Sequence, residues 1–453
     1  MNNKRQNHCL VLGYGASGKA AARLLIRQGE RVLVTDEGAG NAGLMDGVML
    51  SPDLTDEMLP DCKFAVVSPG IPAGHAWLTK LSTAGVPVVP EFEFGLSYIQ
   101  GVRIVAVTGS NGKSSLVKWL ADTLNMCGKS AVPAGNYGTP VSEIAAQDQK
   151  PDYLVLELSS FQLEQAKGTF HPHAAILLNI VPNHLDRHET MVNYIKAKSA
   201  IFNSLAPGGM AVAHAPAWSV INAHVSPGVS PVLFENGISS KFGFKDGWII
   251  RDGKPVVDLS ETWWGRYPLG VNVAAGVAVL LQEGVDPHEI RRSAANFRAL
   301  PHRLEVVAEH EGVKFVNDSK ASTLSAMAAA LSTGGEKKHL IAGGILKETD
   351  VSFVKELLVK NCLGVYAIGS CAEKLVSSWH DTVPCVNCGD LATAFKSAVC
   401  RVRAGEMVLL SPGCSSFDQF AGFFQRGDKF KELVSDYVRC RKKIETTTQG
   451  VCT

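Results

Sequence analysis

Apolar residues along this chain gather in short unbroken runs, each closed by glycine or a polar cluster. Examples are "CLVL" at 9–12, "FAVVSPG" at 64–70, "VRIVAVTG" at 102–109 and "DYLVLELSS" at 152–160. "AAILLNIV", "KFVND", "KHLIAGG", "LGVYAIG" and "EMVLLSPG" continue the series. Between them lie longer stretches whose apolar positions recur every three or four residues, such as "GKAAARLLIRQG" and "LVKWLADTL". A short continuous apolar run is a strand buried on both faces, and the three-to-four period is an amphipathic helix. Strand–helix alternation of this kind predicts an α/β protein of mostly parallel sheets covered by helices, with ligands collected at the carboxyl ends of the strands.

Length and composition divide the pattern without changing it. The 453 residues are enough for about three domains. At 46% hydrophobic and 19% charged, the chain can build substantial cores. The boundaries fall at 1–98, 99–299 and 300–453, each opening on a new run of strands. Within the second, the Asp-Gly pairs at 246–247 and 252–253 predict a small hairpin excursion near 237–259. Two helices close that unit, the second with Asp286 as N-cap and Pro287 in its first turn. A net charge of +1 with scattered signs gives no footprint for nucleic acid. "MNNKR" is followed by an apolar run too short and glycine-broken for a signal peptide, and "VNVAAGVAVLL" is too short to span a bilayer. Eleven cysteines without a regular framework suit a reducing cytosol, and Cys385-x-x-Cys388 has no second pair at zinc-ribbon spacing. The expectation is a cytoplasmic protein with no membrane insertion and no obligate protein partner.

Candidate chemistry begins at "AVTGSNGKSS", a strand, a glycine turn and a helix start with Lys113 and Ser114. Such a turn turns backbone N–H groups and a helix N-terminus toward a phosphate, adds a lysine, and offers a hydroxyl to Mg²⁺. The usual phosphate loop has four residues between its glycines. Here only Ser110 and Asn111 separate Gly109 from Gly112. A second glycine turn, Gly13-x-Gly15-x-x-Gly18 with Asp36 ending the next strand, fits a dinucleotide fingerprint. The same backbone would serve the diphosphate of a nucleotide sugar, or be a tight turn with no ligand. No hydride-transfer chemistry is visible elsewhere.

Further polar residues crowd the strand ends. Glu157 sits inside an apolar strand, where a carboxylate needs a partner. Alone it could equally be a core-bonded glutamate. "NIVPNHLDRH" sets Asn183, His184, Asp186, Arg187 and His188 after a strand. Lys198 lies on the apolar face of its helix with Tyr194, Ile201 and Phe202, which taken alone reads as a snorkelling lysine. In the third unit Arg303, Asp318, Lys347 and a glycine-serine loop with aromatics occupy equivalent positions.

"TGSNGKSS", "GNYGTPV", "ELSSFQLE", "NIVPNHLDRHETMVNYIKAK", "LPHRLE", "NDSKAST" and "LLSPGCSSFDQFAGFFQRGDKF" together resemble the Mur ligases, in order and over nearly the whole chain. The resemblance implies a Rossmann-like UDP-binding domain, a central ATPase domain with the shortened phosphate loop, and a Rossmann-like C-terminal domain. It implies an ATP-dependent amide ligase that converts the carboxylate of UDP-N-acetylmuramoyl-L-alanine to an acyl phosphate, which the amine of D-glutamate attacks. Carried over by position, Gly109, Ser110, Asn111, Gly112, Lys113, Ser114, Ser115, Asn272, Arg303 and Asp318 would bind ATP. Lys113, His184 and Lys198 would be catalytic, with Lys198 as a carbamate. Ser114, Glu157, His184 and Lys198 would serve Mg²⁺. Ser17, Asp36, Gly70, Asn136 and His184 would hold the UDP substrate, and Lys347, Ser416 and Phe423 the D-glutamate. The sequence departs from the family pattern at Val271, Ala275 and Ile345.

Overall fold

The protein is described here from a computed structural model that covers residues 7–38 and 44–449. The "MNNKR" stretch lies outside the described residues. Three sheets follow one another along the chain. In the first, β1 (His8–Leu12), β2 (Val32–Thr35), β3 (Val48–Ser51), β4 (Cys62–Val67) and β5 (Val88–Pro90) run parallel in the order β3-β2-β1-β4-β5. The chain steps outward from β1 to β3 and then returns to its other side at β4. The ends of β1 and β4 therefore flank a topological switch point, the place where such sheets take ligands.

The second sheet has nine strands. These are β6 (Arg103–Thr108), β7 (Ala131–Gly135), β8 (Tyr153–Glu157), β9 (Ala174–Leu177), β10 (Met210–His214), β11 (Val232–Asn236), β12 (Phe242–Lys245), β13 (Trp248–Arg251) and β14 (Lys254–Asp258), in the order β14-β13-β12-β11-β10-β9-β6-β8-β7. Strand β6 is central, with β8 and β9 beside it. Its neighbours are buried along their whole length, which is why their sequences show no polar alternation. The expected hairpin exists, and both Asp-Gly turns adopt positive φ at both residues, as tight hairpins require. It is not an excursion, however: β12 pairs in parallel with β11, so the antiparallel ribbon β12–β14 extends the central sheet. The run "AAILLNIV" stops being strand at Leu177, and Asn179 just beyond it bonds to the phosphate loop that follows β6.

The third sheet holds β15 (Glu305–His310), β16 (Val313–Asn317), β17 (Lys338–Gly343), β18 (Cys362–Ile368), β19 (Cys385–Gly389) and β20 (Met407–Leu410), ordered β15-β16-β20-β17-β18-β19. Only β15 runs antiparallel in it. Cys385 and Cys388 lie within edge strand β19.

By packing, the chain divides into two compact units. Residues 1–262 with 270–296 carry the first two sheets, and 263–269 with 297–453 carry the third. Inside the first unit, the Glu91–Leu96 helix ties the two sheets together. Buried Glu91 accepts from the Ser142 N–H at 2.8 Å, and Glu93 from the Lys167 and Thr169 N–H groups at 2.8 and 2.9 Å. These pairings satisfy carboxylates that would otherwise be costly to bury. In the second unit, Trp264 packs on Phe297 with ring centroids 4.8 Å apart.

Candidate active site

Strand β6 delivers the phosphate loop, and the loop's shape is held by its glycines. Gly109 has φ 147° and Gly112 φ 89°, conformations that side-chain-bearing residues rarely adopt. A Cβ on Gly109 would come within 2.9 Å of Leu178 Cβ, and one on Gly112 within 2.5 Å of Asn272 Nδ2. The loop is pinned from β9's end by Asn179. Its carbonyl accepts from the Ser110 N–H, its Oδ1 from the Asn111 N–H at 2.8 Å, and its Nδ2 donates to the Asn111 carbonyl at 3.0 Å. Ser110 Oγ meets Tyr194 OH at 2.8 Å. Lys113 opens the Lys113–Met126 helix, and its ammonium folds back onto the Gly109 and Ser110 carbonyls at 2.8 and 3.0 Å. The loop ends at the N-terminus of this helix, the positive end of its dipole, so the site is suited to an anion.

Beside the loop, Ser114 Oγ donates to Glu157 Oε2 at 2.5 Å and Asn136 Nδ2 to Glu157 Oε1 at 2.8 Å. Glu157 is therefore the polar hub of the strand ends, 2% exposed. Lys198 is buried too, at 1% exposed, so it does not snorkel. Its Nζ donates to the Gly109 carbonyl at 2.9 Å and to Thr108 Oγ1 at 3.3 Å. Burial first, and then the nearby Lys113 charge, push its pKa well below the usual lysine value, against the pull of Glu157. A lysine held toward its neutral form is a nucleophile rather than a cation. Among the described residues no three carboxylate, imidazole or thiol groups gather into a metal cage. One buried carboxylate with a serine hydroxyl suits Mg²⁺, which keeps most of its sphere for water and substrate phosphates.

The segment after β9 carries the expected cluster. His184 stands at φ 55° with its ring edge-on to Phe161, centroids 5.0 Å apart. His188 is buried, meets Ser160 Oγ at 2.8 Å and stacks on Phe161. The Arg187 guanidinium lies 3.6 Å above the same ring and donates to the Ile71 carbonyl of the first sheet's turn. Asn272, in the Leu269–Gln282 helix, reaches Asn179 Nδ2 with its Oδ1 at 3.5 Å, while Val271 and Ala275 are buried in that helix.

The first sheet's glycine turn is equally tight. A Cβ on Gly18 would lie 1.8 Å from the Gly13 carbonyl, and Ser68 Oγ, from the end of β4, donates to that carbonyl at 3.0 Å. Asp36 accepts from the Tyr14 N–H at 2.6 Å and the Gly38 N–H at 2.9 Å, so it shapes the turn as well as facing it. Ser17 lies in the first turn of the Ala16–Arg27 helix, and Gly70 is exposed in the turn after β4. Asn136 stands apart from this group, on Glu157.

In the third unit, Asp318 is buried at the end of β16. It accepts from Ser411 Oγ at 2.8 Å and from the Leu304 N–H at 3.1 Å. Burial raises its pKa to about 7, opposed by these bonds and by Arg303. Ser416 is buried and Lys347 is exposed. Ile345 is joined to Ser415 by two backbone bonds, 2.8 and 2.9 Å, so its departure from the family pattern leaves the loop's pairing intact. The Phe423 carbonyl accepts from Ser319 Oγ, and Lys320 sits 3.7 Å over its ring. Two residues not singled out in the sequence organise these sites. Asn179 was hidden in an apolar run, and Arg426 was one charge in "FFQRGDKF". The Arg426 side chain is 1% exposed and donates to Ser319 Oγ and to the carbonyls of Ser319, Gly343 and Cys414.

Three domain families match along the chain in order. Residues 7–90 match the Mur ligase MurD-like N-terminal domain, 107–232 the Mur ligase middle domain and 302–414 the Mur ligase glutamate ligase domain. UDP-N-acetylmuramoylalanine–D-glutamate ligase of Koribacter versatilis is 34% identical over 468 residues, covering 97% of this chain and 99% of that protein. The chain belongs to the Mur ligase family. The ligase of the same name from Rubrobacter xylanophilus is 35% identical, covering 94% and 97% of the two chains. Solved structures share the fold at lower identity. The Thermotoga maritima UDP-N-acetylmuramate-alanine ligase MurC superposes with a TM-score of 0.61 at 15% identity, covering 95% of this chain and 99% of that one. The Thermotoga maritima MurF ligase in complex with ADP gives 0.61 at 18%, covering 97% of each. In this Mur ligase the phosphate loop, Glu157 and Lys198 are thus one packed assembly.

Proposed function

We infer that this Mur ligase is an ATP-dependent acid–amino-acid ligase that joins D-glutamate to UDP-N-acetylmuramoyl-L-alanine in peptidoglycan precursor synthesis. The observation that carries this reading is 34% identity over nearly the full chain to a ligase of that name, in a chain whose phosphate loop packs directly on Glu157 and Lys198.

A carboxylate at neutral pH resists amine attack because oxide is a poor leaving group. Transfer of the γ-phosphoryl of ATP to a carboxylate oxygen gives an acyl phosphate and ADP. The amine then attacks the acyl carbon, phosphate leaves, and the amine gives up its proton. Lys113 and the loop N–H groups supply fixed positive charge where phosphoryl charge spreads in transfer. Glu157 and Ser114 would hold Mg²⁺, which neutralises phosphate charge when bound. Lys198, as a neutral amine, can add CO₂ and release a proton, exchanging a potential cation for a carboxylate beside those groups. His184 is read as a metal and substrate-site residue, and Ser17, Asp36, Gly70 and Asn136 as contacts of the uridine nucleotide. Asn272, Arg303 and Asp318 are read as ATP contacts, and Lys347, Ser416 and Phe423 as the D-glutamate site.

Incubation of the full chain with ATP, UDP-N-acetylmuramoyl-L-alanine and single amino acids tests the reading. D-Glutamate should be consumed with stoichiometric ADP and phosphate. Turnover with another amino acid and none with D-glutamate would overturn it.

A further inference from the structure

Two thiols of the third sheet take no part in the chemistry above. Cys371 follows β18 and is the N-cap of the Ala372–Trp379 helix, while Cys414 follows β20. Their Sγ atoms are 3.6 Å apart, and both residues are buried, Cys371 at 7% exposed and Cys414 at 0%. Both are free thiols.

Each thiol is fastened to a loop named above. The Cys371 N–H donates to the Gly344 carbonyl at 3.1 Å, and Ser370 Oγ donates to the same carbonyl at 3.0 Å. Gly344 begins the segment that leads through Ile345 to Lys347. Cys414 is next but one to Ser416, and its carbonyl accepts from Arg426 at 3.1 Å. The Ile345–Ser415 bridge joins the two segments directly beside the thiols.

We propose that Cys371 and Cys414 form a thiol–disulfide modification site that takes a peroxide or a small disulfide as its oxidant. Cys371 is the attacking group. It keeps a sliver of exposure, lies at a helix N-terminus, and has its pKa lowered by the hydrogen bond with Cys414, whose own pKa is raised by that bond and by burial. With hydrogen peroxide, the Cys371 thiolate attacks one oxygen, the O–O bond breaks, and one water leaves after protonation. The Cys414 sulfur then attacks the sulfenic sulfur, and hydroxide leaves with the Cys414 proton as a second water. Two thiols are oxidised and one peroxide is reduced. With a small disulfide, two thiol–disulfide exchanges reach the same bond and release two small thiols.

A disulfide needs its sulfurs at about 2.05 Å. The two loops must therefore draw together, in a well-packed interior that has little slack. The consequence for turnover rests on the reading of Lys347 and Ser416 as the D-glutamate site, since those residues sit on the loops that move. Misplacing binding groups by about 1 Å can cost ~10²-fold.

The test uses the full chain, reduced and then treated with hydrogen peroxide, with peptide mass mapping and steady-state kinetics on the same samples. A Cys371–Cys414 link is expected, with an apparent KM for D-glutamate raised about tenfold or more. Dithiothreitol should reverse both, and Cys371→Ser should form no link and keep its D-glutamate KM under peroxide. A Cys371→Ala chain serves as the second variant, so that a serine effect on packing cannot imitate protection. Exposed Cys400 reports that oxidant has acted. If Cys400 is oxidised while no Cys371–Cys414 link forms in the folded chain, the proposal falls. It also falls if the wild-type and Cys371 variants lose D-glutamate use in parallel. A reversible link that alters the KM for ATP instead of D-glutamate supports the thiol site and overturns the amino-acid assignment of Lys347 and Ser416.

Discussion

Lys198 shows how burial alters the chemistry a side chain can perform. In water its amine is a cation, and beside a phosphate loop a cation is ordinary. Inside this core it sits against the Gly109 carbonyl and the Thr108 hydroxyl, with burial and Lys113 both favouring the neutral amine. Added bicarbonate should therefore raise turnover, and Lys198→Ala should fall by ~10²-fold or more, the order seen when one charge-stabilising group is removed. Formate or acetate should restore part of the loss in an ADP-release assay, and full activity in the unrescued variant would rule the carbamate out. Periodicity alone did not separate this lysine from a snorkelling one, since both lie on an apolar helix face and differ in how deep the chain buries them; only the family resemblance did. Asp318 makes the opposite case. Its pKa is raised from 3.8 to about 7, so the folded state binds its proton more tightly than the unfolded chain does. Its contribution to stability is fully present below about pH 4 and is lost as pH rises through about 7. An Asp318→Asn chain should thus have a flatter denaturant midpoint than wild type between pH 4 and pH 7. An unchanged slope would mean that Asp318 does not titrate there.

At the scale of elements, the phosphate loop depends on backbone that only glycine supplies. Gly109→Ala would place a methyl against Leu178 and force φ 147° on a residue that resists it. Strain of this kind costs about 1–3 kcal/mol. A lowered melting temperature and a weakened Kd for ATP are expected, with the Kd for UDP-N-acetylmuramoyl-L-alanine little changed. Calorimetric titration of both ligands checks this, and equal weakening of both would locate the damage in the fold. The glycine turns were legible because few residues can make them, and so were most of the strands buried on both faces. Strands β3, β5, β7, β10 and β11 were not read, and β15 and β19 were missed because their residues are half exposed and mixed in polarity, which looks like loop. The position of Asn179 was missed for the converse reason. A lone polar residue in an apolar run looks like an interruption until the third dimension shows the turn it pins.

For the whole molecule, all three sheets bring recognition residues to the carboxyl ends of their strands, on the reading given above, with Lys347, Ser416 and Phe423 of the third assigned to D-glutamate. Lys347→Ala should then raise the apparent KM for D-glutamate about tenfold to a hundredfold, because a charge-assisted hydrogen bond is worth roughly 1.5–3 kcal/mol. The KM for the UDP substrate should stay within about twofold of wild type. A change confined to ATP would move Lys347 to the nucleotide. The order of domains could be read from the chain, since strand–helix alternation and the glycine turns are local. Which buried groups fasten loops of distant strands to one another could not, and Arg426 is the plainest instance. Its guanidinium gathers oxygen atoms from the segments after β16 and β20 and from the end of β17. Those three segments share one knot, so none can change length without slackening the other two. A library of random insertions selected for folded protein should leave them nearly empty, while the β12–β14 ribbon, with tight turns tied to no such knot, should accept extra residues. The knot thereby sets where the chain can grow during evolution and where a tag or sensor domain can be spliced in.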